Sequence, residues 1–101
     1  MTLPFAVKGW QFDCGEVSVD LVVDIRTEDR FHRGHLPGAR CLPYDQFQVH
    51  AAALARGHRV LVVDAAGARA AEMATWLRAR DLDAAFLEGG MAAWTGALEA
   101  S

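Results

Sequence analysis

Residues 60–69 have the sequence Val60-Leu61-Val62-Val63-Asp64-Ala65-Ala66-Gly67-Ala68-Arg69, an apolar run followed by an aspartate and small residues. Four consecutive apolar residues without alternation are typical of a strand buried on both faces of a parallel sheet. The small residues after Asp64 allow a tight turn, and helical spacing of apolar residues begins near Ala70. Unpaired N–H groups at a helix start and the helix dipole both favour an anion. The stretch therefore predicts an anion-binding loop, with Arg69 as an added positive charge and the Asp64 carboxylate already at its mouth.

Length and composition limit the classes of protein to consider. The chain has 101 residues, of which 52% are hydrophobic, and this predicts one small domain over residues 1–101. The net charge of −3 and the lack of a Lys/Arg run give no reason to expect a nucleic-acid partner. No apolar stretch is long enough to span a membrane, and residues 1–8 lack the order of a signal peptide. We therefore expect a cytoplasmic protein without nucleic-acid or membrane partners.

The cysteines and histidines give no indication of a metal or a disulfide. Cys14 and Cys41 have neither the number nor the spacing of a disulfide framework or a metal site, which fits a reducing compartment. His32 and His35 would share a metal only on one continuous helix, and Gly34 argues against such a helix. The sequence thus predicts no metal and no cofactor.

Predicted strands and helices alternate along the chain. Apolar runs and the odd–even spacing of Phe5 and Val7 predict strands around 5–7, 21–25, 40–42, 59–63 and 84–87. Helical spacing and helix-stop signals predict helices over 27–34, 44–56, 68–80 and just after Gly89-Gly90. This alternation predicts an α/β domain with a mainly parallel sheet and helices on both faces. Ligands of such sheets bind beyond the carboxyl ends of strands, where Asp24 and Asp64 both stand.

The end of the helix predicted over 68–80 indicates an unusual backbone conformation. A helix stop commonly places one residue in the left-handed region, which aspartate tolerates better than most residues other than glycine. Asp81 stands at this stop. We therefore predict a positive φ at Asp81 or within one residue of it.

Four motifs resemble those of the rhodanese-like family. Val23-Asp24-Ile25-Arg26 resembles the family's Asp-x-Arg strand end, and Gly34-His35-Leu36-Pro37-Gly38-Ala39 resembles its Gly-His-Ile-Pro-Gly-Ala turn. The loop from Asp64 to Arg69 resembles its six-residue active-site loop, and Leu87-Glu88-Gly89-Gly90-Met91-Ala92-Ala93-Trp94 resembles its Gly-Gly-x-x-x-Trp ending. The likeness spans residues 21 to 94. It implies a rhodanese-like fold in which Asp24, Arg26 and His35 support the loop.

The resemblance also implies a chemistry that depends on the first residue of the loop. Active members carry cysteine there, and its thiolate takes up sulfane sulfur as a persulfide. Asp64 takes that position here, and a carboxylate does not form a persulfide. We therefore expect a catalytically inactive, regulatory module that binds a protein partner, or a small anion at the loop.

Two alternative functions stay open at this point. One is an active thiosulfate sulfurtransferase that uses another thiol, although neither Cys14 nor Cys41 heads a helix-opening loop. The other is a phosphoacceptor domain in which Asp64 takes up a phosphoryl group and Asp24 helps to hold Mg²⁺. Such sites usually require a lysine, and Lys8 is the only lysine in the chain.

Each site residue also has a structural interpretation. Asp64 is expected to accept N–H bonds from its own loop. Arg69 either binds an external anion or pairs with Asp64 or a neighbouring acid. Asp24 and Arg26 are expected to form an ion pair, and His35 is interpreted as a hydrogen-bonded turn residue rather than a base.

Overall fold

The fold is a five-stranded parallel sheet covered by helices, given by a computed structural model that describes residues 2–100. The strands are β1 (Ala6–Val7), β2 (Leu21–Asp24), β3 (Arg40–Cys41), β4 (Arg59–Val63) and β5 (Asp83–Leu87). Their order in the sheet is β1-β5-β4-β2-β3, and every pairing is parallel. The predicted α/β class is therefore confirmed, whereas residues 1 and 101 of the predicted domain lie outside the described residues.

Helices cover both faces of the sheet. They are α1 (Gly9–Asp13), α2 (Glu28–Arg33), α3 (Phe47–Ala55), α4 (Ala68–Arg78) and α5 (Gly90–Ala93), with a 3-10 turn at Tyr44–Gln46 before α3. Apolar residues of α3 and α4 form the core on one face, and those of α1 and α5 pack on the other. Within residues 2–100, none of these helices has the length and hydrophobicity needed to cross a bilayer.

Strand β4 shows why its apolar run does not alternate. Val60 and Val62 point into the core shared with α3 and α4, while Leu61 and Val63 point into the opposite core. All four side chains are essentially inaccessible to solvent. Because both faces of the central strand are buried, both sets of positions must be apolar. The carboxyl end of this strand therefore delivers Asp64 to the edge of the sheet from a rigid base.

The structure corrects several predicted boundaries. The helix predicted over 44–56 begins as a 3-10 turn, in which the Gln46 N–H donates to the Pro43 carbonyl at 2.9 Å and the Phe47 N–H donates to the Tyr44 carbonyl. The helix predicted over 68–80 ends at Arg78, where the Leu82 N–H closes onto the Leu77 carbonyl. Thr27 has the backbone position of an N-cap, but its side chain makes no capping bond.

The N-terminal segment contains one correct prediction and one omission. The edge strand around Val7 is confirmed as β1, at one end of the sheet. Helix α1 was not predicted, although the Lys8 N–H donates to the Gln11 side chain at 2.9 Å at its start. Five residues are too few for helical spacing to identify the segment from its sequence.

Asp81 has φ 61°, and it is the one non-glycine residue with positive φ among residues 2–100. The predicted conformation is therefore confirmed. The Asp81 N–H donates to the Arg78 carbonyl at 3.0 Å and so closes the turn that ends α4.

We predict that Asp81→Gly is neutral or stabilises the protein by about 0.5–1 kcal/mol, because glycine adopts the left-handed region without the steric cost of a Cβ. The free energy of unfolding from urea denaturation measures this effect. Asp81→Ala is the matched control, and it should destabilise because alanine keeps the Cβ without the tolerance of aspartate. A clear loss of stability in Asp81→Gly would contradict the interpretation.

Candidate functional site

The carboxylate of Asp64 organises the loop that follows β4. Its Oδ1 accepts the N–H of Gly67 at 2.5 Å, and its Oδ2 accepts the N–H groups of Arg69 and Ala70 at 3.0 Å each. The side chain is buried, with 6% of the residue surface exposed. Asp64 thereby fills the N-terminus of α4 with a negative charge from its own loop, as its structural interpretation predicts.

The start of α5 packs directly onto the backbone of this loop. The Met91 N–H donates to the Asp64 carbonyl at 2.8 Å, and the Ala92 N–H donates to the Ala65 carbonyl at 2.9 Å. Gly90 lies so close that a Cβ on it would approach the Asp64 carbonyl oxygen to 2.6 Å. The second glycine of Gly89-Gly90 is therefore required by close backbone approach, and the loop is fixed from two sides.

Asp24 and Arg26 form the predicted ion pair at the end of β2. Asp24 is completely buried, and its carboxylate accepts the Arg26 backbone N–H at 3.0 Å and the guanidinium at 2.8–3.1 Å. Arg26 Nη2 also donates to the Gly34 carbonyl at 2.8 Å. The pair thus ties the end of β2 to the turn after α2, and Asp24 keeps no free face toward solvent.

His35 is a buried part of the fold. Its Nδ1 lies 2.9 Å from the Phe31 carbonyl oxygen, and its ring stacks on Phe31 with centroids 3.9 Å apart. Because a carbonyl oxygen only accepts, Nδ1 carries the proton. The Nε2 atom lies 3.9 Å from Oε1 of Glu99. These contacts direct the imidazole into the turn.

A cleft of about 650 Å³ opens beside the Asp64 loop. The structure brings Arg26 and most of the loop together there, whereas Asp24, Gly67 and His35 do not line the cleft. The residues that do are Ile25, Arg26, Thr27, Arg30, Pro43, Tyr44, Asp45, Asp64, Ala65, Ala66, Ala68 and Arg69. Sequence reasoning missed Arg30, Tyr44 and Asp45. A usable signal was available for Tyr44 and Asp45, which directly follow a predicted strand and so fall at the same edge of the sheet.

Arg69 faces the cleft rather than an acid of its own chain. Its guanidinium carbon lies 4.7 Å from the centroid of the Tyr44 ring, a cation–π contact. In the part of the chain that the structure describes, neither Arg69 nor Arg30 forms an ion pair. Only the backbone of Arg69 bonds Asp64. The interpretation in which the Arg69 side chain pairs with Asp64 or a neighbouring acid is therefore wrong.

Tyr44 contacts Arg69 through its ring and an acidic side chain through its phenol group. The phenol donates to Oε1 of Glu72 at 2.8 Å. This hydrogen bond raises the pKa of Tyr44, and burial and the Glu72 charge raise it further, against an opposing effect of Arg69. The phenol therefore stays protonated at neutral pH and remains a donor.

The two cysteines lie outside the cleft. Cys14 is exposed, and Cys41 is partly buried with its Sγ 3.9 Å from the Arg26 carbonyl oxygen. Burial raises the pKa of the Cys41 thiol, and the Asp24 and Glu28 carboxylates raise it further, while Arg26 opposes them. Across residues 2–100, no three side chains of His, Cys, Asp or Glu cluster as metal ligands would.

The chain belongs to the rhodanese-like domain family, whose model matches residues 8–97. No match was found among curated proteins. The likeness stated on four motifs is thus confirmed at the level of the family.

Solved structures show the same fold. A rhodanese-like domain protein from Staphylococcus aureus is 27% identical, with a TM-score of 0.84 over 97% of this chain and 99% of that one. A rhodanese-related protein from Thermoplasma volcanium is 18% identical, with a TM-score of 0.85 over 97% and 100%. An NAD-dependent persulfide reductase from A. fulgidus is 23% identical and has a TM-score of 0.70, over 90% of this chain and 16% of that chain. The last two likenesses concern the fold alone.

We predict that Asp64→Asn destabilises the protein by about 1–2 kcal/mol at neutral pH, because an NH₂ group would replace one oxygen of a carboxylate that accepts three N–H bonds. Urea denaturation measures the difference. Asp45→Asn is the control, since Asp45 is exposed and makes no such bonds, and its effect should stay within about 0.5 kcal/mol. Equal stability of wild type and Asp64→Asn would mean that these bonds contribute little.

We also predict that iodoacetamide labels Cys14 well before Cys41 at neutral pH. The raised pKa of Cys41 lowers its thiolate fraction, and only the thiolate reacts. Labelling of Cys41 should therefore keep accelerating as the pH rises further into the alkaline range. Peptide mapping by mass spectrometry gives both rates, with Cys14→Ser and Cys41→Ser as controls. Faster labelling of Cys41 at neutral pH would contradict the assignment.

Proposed function

We propose that this chain is a noncatalytic member of the rhodanese-like family, whose cleft binds an anionic group of a protein partner. In this proposal Asp64 takes the place of the cysteine that active members carry at the first position of the loop. The observation that supports it best is the bonding of Asp64, whose two carboxylate oxygens accept three N–H groups of the loop and α4.

The chemistry of sulfur transfer explains why this bonding matters. Transfer requires a thiolate that attacks sulfane sulfur and holds it as a persulfide, and neighbouring N–H groups and a helix N-terminus stabilise such an anion. A carboxylate oxygen has no comparable affinity for sulfur. In addition, the N–H groups of Gly67, Arg69 and Ala70 already serve Asp64. The loop therefore offers no sulfur nucleophile, and these three N–H groups are not free to stabilise a persulfide.

The environments of the cysteines weigh against a sulfurtransferase that uses another thiol. Cys14 lies on the surface, and Cys41 is partly buried with a raised pKa. Neither thiol lines the cleft beside the loop. A catalytic thiol needs a lowered pKa and access to the donor and acceptor, and neither cysteine combines the two.

The geometry of Asp24 weighs against a phosphoacceptor domain. Such a site needs a second carboxylate with free oxygens for Mg²⁺. Asp24 is fully buried, and Arg26 occupies both of its oxygens. Lys8 precedes α1 and does not line the cleft, so it offers no cation to a phosphoryl group there.

The charges of the cleft support binding of an anionic group outside the loop. Arg30 and Arg69 line the cleft without an ion-pair partner in the described residues. The carboxylate of Asp64 repels a free anion from the interior of the loop. An incoming carboxylate is therefore expected at the arginine side chains rather than on the loop N–H groups.

We predict that the wild-type protein shows no thiosulfate-dependent sulfur transfer to a thiophilic acceptor, because it offers no suitable thiolate. Mass spectrometry after thiosulfate treatment should find no added sulfur on Cys14 or Cys41. Asp64→Cys should gain a sulfur adduct, because it combines a thiol with freed N–H donors, whereas the matched control Asp64→Ser should not.

Turnover by wild type, with a persulfide on either cysteine, would refute the proposal. An Asp64→Cys variant that folds but takes up no sulfur would show that Asp64 is not the reason for inactivity.

A further inference from the structure

The cleft beside the Asp64 loop shares a wall with a second hollow. The shared residues are Tyr44 and Asp45, and we call this wall the Tyr44 ridge. The second hollow has a volume of about 280 Å³ and is lined by Tyr44, Asp45, Gln48, Glu72 and Met73. The two hollows together form one continuous surface that crosses the ridge.

Basic residues line only the cleft, and Glu72 lines only the second hollow. Arg30 and Arg69 line the cleft, Glu72 lines the second hollow, which has no basic residue in its lining, and Asp45 lies on the ridge that the two hollows share. Within residues 2–100, none of these four side chains forms an ion pair. The Asp64 carboxylate accepts three N–H bonds from its own loop and α4, so it offsets the charge of the arginines less than a carboxylate without such bonds would. Both signs of charge are therefore available to a ligand.

Tyr44 contacts both an arginine and a glutamate of α4. The Arg69 guanidinium lies over the ring face at 4.7 Å, and Glu72 accepts the phenol proton at 2.8 Å. Both residues belong to α4 and are three positions apart, so they project from the same side of that helix. The start of α4 is in turn anchored by Asp64. The spacing of the charges is thus set by secondary structure and by a ring.

We propose that the Tyr44 ridge is a docking surface for an extended segment of a partner protein that carries an acidic and a basic side chain two residues apart. The inference rests on the proposed function and names the class of its partner. The acidic side chain contacts Arg69 and Arg30 in the cleft, and the basic one contacts Glu72 and Asp45 in the second hollow.

The spacing of an extended chain favours this ligand over a small zwitterion. Residues i and i+2 of a strand project to the same side, about 6.6–6.8 Å apart along the chain. Residues three positions apart on a helix, as Arg69 and Glu72 are, have Cβ atoms about 5–6 Å apart, so the spacing within the segment suits one side chain in each hollow. A free amino acid carries its ammonium and carboxylate groups on the same carbon atom, and this short separation suits a single hollow. The acidic half of the surface likewise disfavours nucleic acid and anionic lipid.

The test is a titration of the full chain, labelled with ¹⁵N, by short capped peptides. Two peptides carry both charges, acetyl-Ala-Glu-Ala-Lys-Ala-amide and acetyl-Ala-Lys-Ala-Glu-Ala-amide, so that both chain directions are sampled. Matched peptides replace Glu or Lys by Gln. Because exposed ion pairs contribute modestly, we expect one doubly charged peptide to bind about two- to fivefold tighter for each charge it keeps. Shifts should centre on Tyr44, Asp45 and residues 68–72.

Variants assign each charge to its hollow. Arg69→Gln should weaken the preference for Glu over Gln in the peptide, because only Arg30 then remains, while keeping the preference for Lys. Glu72→Gln should do the reverse, and Asp45→Asn should weaken the same preference without removing the Tyr44–Glu72 bond. Arg80→Gln is the control on α4's C-terminal side, where Arg80 stacks on Trp76 at 3.7 Å, and it should change neither preference.

Several results would overturn the inference. One is equal binding of the doubly charged and the acidic peptides. Another is a preference for Glu that is as strong in Arg69→Gln as in wild type, or a preference for Lys that is as strong in Glu72→Gln as in wild type. A third is a set of shifts confined to another surface. Shifts at the ridge that depend only on protein concentration would assign the surface to a second copy of this chain instead. Failure of the peptides in a protein without sulfur transfer refutes this inference alone, whereas sulfur transfer by wild type refutes the proposed function.

Discussion

The hydrogen bonds of the Asp64 carboxylate connect the central strand of the sheet to the helix that follows it. A helix N-terminus leaves N–H groups that need acceptors, and here an internal carboxylate supplies them. The neighbouring structure depends on the resulting loop shape. The N–H groups of Met91 and Ala92 in α5 donate to the Asp64 and Ala65 carbonyls. The loop backbone lies so close to residue 90 that only glycine fits there. The cleft is the space left in front of this fixed loop.

The two aspartates at the carboxyl edge of the sheet are stabilised in different ways. Asp24 is neutralised by a neighbouring guanidinium, and Asp64 is held by backbone N–H groups and a helix N-terminus. In both cases the carboxylate oxygens are occupied within the chain. Other charged side chains lie near the cleft, where Arg69 lies over the Tyr44 ring and Glu72 accepts the Tyr44 phenol proton. In the proposed function, a ligand contacts these side chains, whereas three N–H groups of the loop and α4 stay bonded to Asp64.

Patterns of short range predicted much of the fold correctly. Val60 to Val63 indicated a strand buried on both faces, and the helix stop at Asp81 indicated a left-handed residue. Errors arose at the ends of elements. The helix predicted from Tyr44 begins with a 3-10 turn, in which the Gln46 N–H bonds the Pro43 carbonyl, and the sequence pattern does not distinguish this turn from a first α-helical turn. Helix α1 is too short to show helical spacing.

The sequence by itself determined the α/β class, the family, and the presence of an aspartate directly after the central strand, because these follow from residue type and local order. Only the tertiary structure decided what the site residues contact. Arg30, Tyr44 and Asp45 join the cleft because parallel strands bring their carboxyl ends to one edge of the sheet. Arg69 stacks on Tyr44 rather than pairing with an acid because the direction of a side chain depends on its packing, which residue order does not specify.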